Sequence, residues 1–230
     1  MLEQGTEPPG SGKEADQEGI YLCKQCDAPL YLSSSKFHSG CGWPSFDDEL
    51  PGAIERKNDG DRTEIICARC HGHLGHVFTG EHFTSKNVRH CVNAVSMAFI
   101  PAIVDGYERA FFGGGCFWGV QKEMKAYAHS TEVGYMGGHF VDPTYDDVCS
   151  GQTGHTEVVE VFFEPGEFEK VVEGFLKVHK PNQTKDQYRS VIFYLTLEQK
   201  EIAERLATSI DVEPASWFYR AEDYHQNYLS

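Results

Sequence analysis

Residues 112–119 read Phe-Gly-Gly-Gly-Cys-Phe-Trp-Gly. Three consecutive glycines release the backbone into a tight turn. The residues that follow, 117–127, have helix-compatible composition, so the spacing predicts that Cys116 stands at or beside a helix N-terminus. There the macrodipole and the unpaired N–H groups favour a thiolate and are expected to lower the cysteine pKa. Phe117 and Trp118 directly follow the sulfur and can wall an apolar pocket. The stretch reads as a turn, a nucleophilic cysteine and a helix. The alternative for any cysteine beside a glycine-rich turn is a buried, inert thiol.

Outward from Cys116, the C-terminal half alternates element types. Residues 157–163 alternate and are β-branched, as in a strand. Residues 166–180 carry Phe168, Val171, Val172, Phe175, Leu176 and His179 at helical spacing. A second strand is expected at 190–195, then a helix opened by Thr196 with Gln199 three residues on as a capping box. This order implies an α/β layered domain. The N-terminal half differs: it is rich in Gly, Cys and His, with short strands expected at 20–23, 63–67, 76–78 and 94–100, and is predicted mainly β. Residues 1–18 read as a loose, wrapping arm. The composition changes at 101–108, giving two domains, 1–104 and 105–230.

The 230-residue chain is long enough for two ordinary domains and, at 40% apolar content, for a buried core. Its net charge of −15 divides into −5 over 1–104 (9 basic, 14 acidic) and −10 over 105–230 (11 basic, 21 acidic). Neither half has a basic stripe, which disfavours nucleic acid and anionic membranes as partners. No apolar run approaches a membrane span, and the polar N-terminus does not read as a secretory signal. Eight cysteines without such a signal suggest a reducing compartment, with a cytoplasmic location expected.

Cys23-x-x-Cys26 and Cys67-x-x-Cys70 are two matched pairs. Four thiolates in this spacing suit a closed, structural, tetrahedral zinc site; two redox pairs are the competing reading. No organic cofactor is implied. Cys41, Cys91, Cys116 and Cys149 remain for chemistry. Around Cys91, Arg89 and Asn93 lie two residues to either side, so on a strand all three share a face, and the guanidinium is expected to lower the thiol pKa. His73, His76 and Trp43 complete a polar and aromatic set in the same half.

Four motifs carry a resemblance: Gly-Thr-Glu-Pro-Pro (5–9), Gly-Cys-Gly-Trp-Pro-Ser-Phe (40–46), His-Leu-Gly-His-Val-Phe (73–78) and Arg-His-Cys-Val-Asn (89–93). Residues 5–101 thereby resemble methionine sulfoxide reductase B. Residues 111–229 resemble methionine sulfoxide reductase A through the 112–119 stretch, Thr-Glu-Val-Gly-Tyr (131–135), Pro-Thr-Tyr (143–145), Val-Cys-Ser-Gly-Gln-Thr-Gly-His-Thr-Glu-Val-Val (148–159), Gln-Tyr-Arg-Ser (187–190) and Glu-Asp-Tyr-His-Gln (222–226). The chain looks like a fusion with the B domain first. For the second domain the resemblance implies a ferredoxin-like layered sandwich and S-sulfoxide reduction. Cys116 would be the nucleophile, Glu157 the acid, Tyr145 and Tyr188 the hydroxyl donors, and Phe117 and Trp118 the methyl pocket. An acid at neutral pH needs an apolar surround that raises its pKa. For the first domain it implies R-sulfoxide reduction, with Cys91 as nucleophile, His73, His76, Arg89 and Asn93 on the oxygen, Trp43 on the methyl group, and Cys41 resolving onto Cys91. Thioredoxin or another thiol reductant would then reset the disulfide.

Three departures stand out. His90 occupies the family's usual tyrosine position, beside the reactive sulfur. The segment between His179 and Tyr188 is shorter than the family's, so the substrate-binding aspartate is transferred only weakly to Asp186. No cysteine follows Cys149, so either Cys149 resolves Cys116, a reductant attacks the sulfenic acid directly, or Cys149 is simply a buried thiol. A reading from another class is a zinc-stabilised redox sensor or interaction module that turns nothing over.

Overall fold

The computed structural model describes residues 5–10, 17–179 and 186–229. Parts of the expected arm (1–4 and 11–16) and the end of the helix expected to Lys180, with the segment after it, lie outside the described residues. The chain divides into two compact units, Met1–Ile100 and Pro101–Ser230.

Among the described residues, the first unit is built from nine strands in two sheets. One is three-stranded, in the order β2 (Pro29–Leu32), β1 (Gly19–Cys23), β9 (Met97–Pro101). The other runs β3 (Lys36–Phe37), β4 (Ser45–Phe46), β8 (Val88–Val92), β7 (His73–Thr79), β6 (Arg62–Cys67), β5 (Ile54–Asp59). Every neighbouring pair in the six-stranded sheet is antiparallel. Its core gathers Tyr21, Leu30, Tyr31, Phe46, Ile65, Leu74 and Val92, all at most 1% exposed. Tyr31 stacks on Phe46 at 4.2 Å between centroids, and Tyr21 meets the same ring edge-on at 5.0 Å. Such rings supply the largest single burial terms available to a small β unit. The strand expected at 94–100 begins late, because residues Ala94–Ser96 form a 3-10 turn before β9.

The second unit has a six-strand path of order β15 (Asp211–Pro214), β14 (Ser190–Tyr194), β11 (Tyr107–Gly114), β13 (Thr156–Phe163), β12 (Ser130–Met136), β16 (Tyr219–Arg220), with β10 (Ile103–Val104) pairing with β11. Helix α1 (Phe117–Met124) follows β11 and α3 (Phe168–Val178) follows β13; α2 (Tyr145–Cys149) and α4 (Leu197–Leu206) complete the set. The central β11-α1-β12-β13-α3-β14 run, with its antiparallel order β14-β11-β13-β12, is the ferredoxin-like arrangement. Phe168, Val171, Val172 and Phe175 form the buried stripe of α3, and Phe175 packs on Phe112 of β11 at 5.1 Å. Glu157 through Val161 are buried along both faces of β13, because this strand is central and covered. At α4 the Thr196 hydroxyl accepts the Gln199 N–H at 3.1 Å. The expected box is only half made, since the Gln199 amide oxygen takes the Leu195 N–H instead, at 2.8 Å.

No helix among the described residues is long and apolar enough to cross a membrane.

Candidate active sites and metal centre

In the first unit, strand register assembles the site. Cys91 on β8 lies opposite His76 on β7, His76 lies opposite Glu64 on β6, and on its other side Cys91 faces Ser45 on β4. One cross-strand row therefore runs Ser45, Cys91, His76, Glu64. His73 is three residues from His76 and on a regular strand would face away from it. A bulge changes this: Ile65 pairs with Gly75 and Ile66 with His73, which brings the two imidazoles together at 5.6 Å. Gly75 also lets β7 approach β8 closely, because a Cβ there would lie 2.0 Å from the Cys91 carbonyl oxygen.

Each histidine is held by a carboxylate. His73 Nδ1 stands 2.6 Å from Glu64 Oε1, and His76 Nε2 stands 2.9 Å from Asp59 Oδ2. Both line a cleft of about 370 Å³ together with Gly5, Thr6, Asp59, Arg62 and Glu64. Arg89 donates twice to Glu81, at 2.8 and 2.9 Å, and lies over the Phe78 ring. The arm residues seat two further candidates. Trp43 Nε1 donates to the Glu7 carbonyl at 2.9 Å. Asn93 Nδ2 donates to the Gly5 carbonyl at 3.0 Å, and the Glu7 N–H donates to Asn93 Oδ1 at 3.2 Å. The Glu7 carboxylate in turn accepts the N–H groups of Ala94 and Val95.

Cys41 Sγ lies 3.9 Å from Cys91 Sγ. The ionisation of Cys91 is the reverse of the sequence expectation. Burial, followed by the nearby Cys41 charge, pushes Cys91 up to about 11, and Arg89 offsets only part of this. At Cys41 burial also acts upward, but hydrogen bonds from Ser39, the Trp43 backbone, Ser45 and Cys91 outweigh it and bring the thiol down to about 7. His90 is also corrected. It neighbours Cys91 in the chain but points to the opposite face of β8, fully buried, with Nδ1 3.0 Å from the Tyr31 hydroxyl and Nε2 3.2 Å from Arg56.

Cys23, Cys26, Cys67 and Cys70 converge, their sulfurs all within 4.8 Å of one another. Cys23–Cys70 and Cys26–Cys67 are 3.7 and 3.6 Å apart. A tetrahedron of sulfurs about 2.3 Å from zinc has edges of about 3.8 Å, so the donor set fits that ion. The two knuckles match: the N–H of Asp27 returns to the Cys23 carbonyl and that of His71 to the Cys67 carbonyl, both at 2.9 Å, with Asp27 and His71 at positive φ.

In the second unit, β11 delivers the chain to Gly115, whose φ of +96° suits glycine, and Cys116 becomes the N-cap of α1. The neighbouring strand β13 supplies Glu157, 1% exposed, whose Oε2 accepts the Phe117 N–H at 3.0 Å. Burial pushes this carboxyl up to about 7, with the Phe117 bond opposing. The helix start does act on Cys116, through the Trp118 and Gly119 N–H groups. Yet burial and the Glu157 charge prevail, so the Cys116 thiol is raised, contrary to the sequence expectation. Phe117 is buried against Tyr135 and His225, at 5.9 and 5.3 Å. Trp118 stacks on Tyr228 at 4.0 Å and donates from Nε1 to His225 Nδ1 at 3.2 Å.

Tyr145 opens α2 with its N–H on Glu222 Oε1, and the other Glu222 oxygen accepts the Tyr135 hydroxyl, both at 3.0 Å. Hydrogen bonding to Cys149, followed by burial, raises the Tyr145 hydroxyl pKa. Burial and the Glu157 charge raise that of Tyr188, with smaller contributions from Cys116 and Cys149, so these groups share one electrostatic neighbourhood. Cys149 is exposed, not buried, and accepts from Gln187 Nε2 at 3.6 Å. The Asp186 carboxylate closes a turn by accepting the Tyr188 N–H at 2.9 Å.

Sequence reasoning assigned no role to Glu7, Asp59, Glu64, Glu81, Glu222 or His225. Glu7, Glu222 and His225 lay inside quoted motifs; Asp59, Glu64 and Glu81 had no local signal at all.

Two thiol sites stand out, Cys116 beside the buried Glu157 carboxyl and Cys91 in a cross-strand row with His76, on two different folds. Known families agree with this division. The SelR domain family matches residues 1–101, and the family described as peptide methionine sulfoxide reductase matches residues 108–230. Over 107 residues the chain is 56% identical to peptide methionine sulfoxide reductase B3 of Arabidopsis thaliana, covering 44% of this chain and 61% of that protein. Over 148 residues it is 45% identical to peptide methionine sulfoxide reductase MsrA of Methanothermobacter thermautotrophicus, covering 54% of this chain and 86% of that protein. A solved structure of methionine sulfoxide reductase A of Corynebacterium diphtheriae aligns at 32% identity and a TM-score of 0.48, over 55% of this chain and 75% of that one. Against the first plant relatives, the chain spans 47–61% of their length. The chain belongs to the peptide methionine sulfoxide reductase family, its first unit carrying the SelR domain.

Proposed function

We propose that the chain reduces methionine sulfoxide at two sites, the R-epimer in the first unit and the S-epimer in the second. A sulfoxide sulfur becomes electrophilic only as its oxygen is protonated, so each site needs a thiolate, a proton donor and an apolar seat for the methyl group.

The carrying observation is Glu157, buried and bonded to the first residue of the helix that Cys116 caps, where burial pushes its carboxyl up to about 7. In the second unit Cys116 attacks sulfur, Glu157 gives its proton to the departing oxygen, and Tyr145 and Tyr188 donate hydrogen bonds to that oxygen. Phe117 and Trp118 seat the methyl group. A neutral Glu157 also removes the charge that raises Cys116, so the proton on the carboxyl and the thiolate favour one another. One oxygen passes from substrate to sulfur, leaving methionine and a cysteine sulfenic acid. In the first unit Cys91 is the nucleophile, His73, His76, Arg89 and Asn93 bind and protonate the oxygen, and Trp43 seats the methyl group. Cys41, 3.9 Å away, closes the disulfide, and thioredoxin or another thiol reductant reopens it. At Cys116, either Cys149 or an external thiol completes the cycle. Asp186, with its carboxylate engaged in a local turn, is a weak candidate for the substrate amine.

Zinc held by Cys23, Cys26, Cys67 and Cys70 would cross-link two knuckles of a small β unit and supply folding free energy, with no part in the chemistry. The mixture of free thiols and a thiolate metal site suits a reducing compartment such as the cytoplasm.

The test is reduction of free and peptide-bound methionine sulfoxide with dithiothreitol, epimers resolved by chromatography. Turnover of both epimers is expected; oxidation of the thiols with no methionine formed would mark a sensor instead.

A further inference from the structure

The groups around Cys41 include two hydroxyls that the reaction scheme above leaves idle. Ser39 Oγ donates to Cys41 Sγ at 3.0 Å and stands 2.8 Å from Ser45 Oγ. Ser45 is 1% exposed, and its Oγ lies 3.6 Å from Cys41 Sγ. A hydroxyl carries one proton and two acceptor positions. When Ser39 donates to the sulfur, Ser45 can donate to Ser39, and two bonds in line polarise one another. The relay is fixed in place, because Ser45 sits on β4 in register with Cys91 itself.

The charged or titratable groups that face Cys41 are Cys91, at 3.9 Å, and Arg89, whose charge reaches both sulfurs. Arg89 is already engaged twice by Glu81. Its charge and hydrogen bond act to lower Cys91, so Arg89 is not what favours ionisation of Cys41. The neutral hydroxyls do favour it. They bond Cys41, while the side-chain hydrogen bonds that act on the Cys91 ionisation come from Cys41 and Arg89.

We propose that Ser39, backed by Ser45, is a positioning residue that holds Cys41 as a thiolate aimed at Cys91 and so sets the rate of disulfide closure after turnover. This rests on the reading that Cys41 resolves the Cys91 sulfenic acid. In that step the Cys41 sulfur attacks the Cys91 sulfur, an S–S bond forms, the S–O bond breaks, and hydroxide leaves and takes up a proton to become water. The oxidising equivalent comes from the sulfoxide, so no further oxidant is needed.

Attack rate depends on the thiolate fraction and, in the opposite sense, on intrinsic nucleophilicity, which falls with pKa with a Brønsted slope of about 0.4–0.5. Cys41 at about 7 is half ionised at pH 7. Returned to an ordinary value of about 8.5, it would be about 3% ionised but roughly fivefold more nucleophilic as the thiolate. Ser39→Ala is therefore expected to slow closure by up to about threefold at pH 7, to match the unsubstituted protein near pH 8, and to exceed it above pH 9.

The experiment uses the full chain, one equivalent of R-sulfoxide, acid quenching over pH 6–10, and peptide mapping of the Cys41–Cys91 disulfide. A second measurement follows iodoacetamide labelling of Cys41 against pH in a Cys91→Ala background, where Ser39→Ala should shift the midpoint upward and Ser39→Thr should restore it. Equal closure rates in Ser39→Ala at every pH, or slowing by one constant factor throughout, would overturn the proposal, the second because it marks a purely structural role. No Cys41–Cys91 disulfide in the unsubstituted protein would instead overturn the resolving assignment beneath it, so the two failures are told apart.

Discussion

The Glu157 carboxylate accepts the backbone N–H of Phe117 at 3.0 Å, which ties a buried carboxyl of the second unit to the residue directly after Cys116. Strand and helix thus set the proposed acid and the proposed nucleophile together. The same burial that readies the carboxyl also makes its ionised form costly.

That cost gives a linked measurement. The folded pKa of Glu157, about 7, lies above the ordinary 4.5, so the folded state disfavours the ionised form. The penalty is absent below pH 4.5, grows between 4.5 and 7, and is complete above 7. Glu157→Gln keeps an oxygen for the Phe117 N–H and cannot ionise. Thermal melts should show it more stable than the unsubstituted protein by about 3 kcal/mol at pH 8 and little changed at pH 4. S-epimer reduction should fall by at least about 100-fold, the usual scale for losing a general acid.

Separate nucleophiles imply separable activities. Cys116→Ser should abolish S-epimer reduction and leave the R-epimer rate within about twofold; Cys91→Ser should do the reverse. Epimer-resolved product analysis reads both, and loss of both activities from one substitution would refute the two-site scheme.

Removal of metal should act on one unit alone. A chelator, or Cys67→Ser, should melt the first unit and its R-epimer activity, since a structural zinc site contributes on the order of 10 kcal/mol to a small domain. S-epimer activity should persist. Metal analysis of the purified chain should find about one zinc per chain, and a metal-free chain with the first unit intact would exclude the four-thiolate site.

Gly75→Ala places a methyl group 2.0 Å from the Cys91 carbonyl oxygen. The β7–β8 pairing must open to admit it. We expect a stability loss above about 3 kcal/mol in denaturant titration, and R-epimer activity reduced more than the fraction folded, because His73, His76 and Cys91 all depend on this pairing.

Some of this was legible in the sequence because its cause is local. The paired Cys-x-x-Cys spacings announce a four-sulfur cluster, the glycine run announces a turn before a helix, and the period of 168–175 announces the buried stripe of α3. The facing of His73 and His76 was not legible, because it comes from a bulge defined by a partner strand. The bidentate hold of Glu81 on Arg89 and the seating of Asn93 and Trp43 by Glu7 link residues distant in the chain or lacking any local pattern. The thiol pKa values misled for a related reason. A helix start and a guanidinium can be read from a sequence, while the burial that outweighs both exists only in the folded protein.

The row Ser45, Cys91, His76, Glu64 crosses the chain direction, so no contiguous segment encodes it. A slip of β7 by a single position would set Val77 opposite Cys91 and carry His76 away, leaving sulfur and imidazole on different rungs. In this unit, fidelity of hydrogen-bond pairing during folding is therefore also fidelity of reagent delivery, and a misregistered chain would be chemically silent even with all of its residues intact.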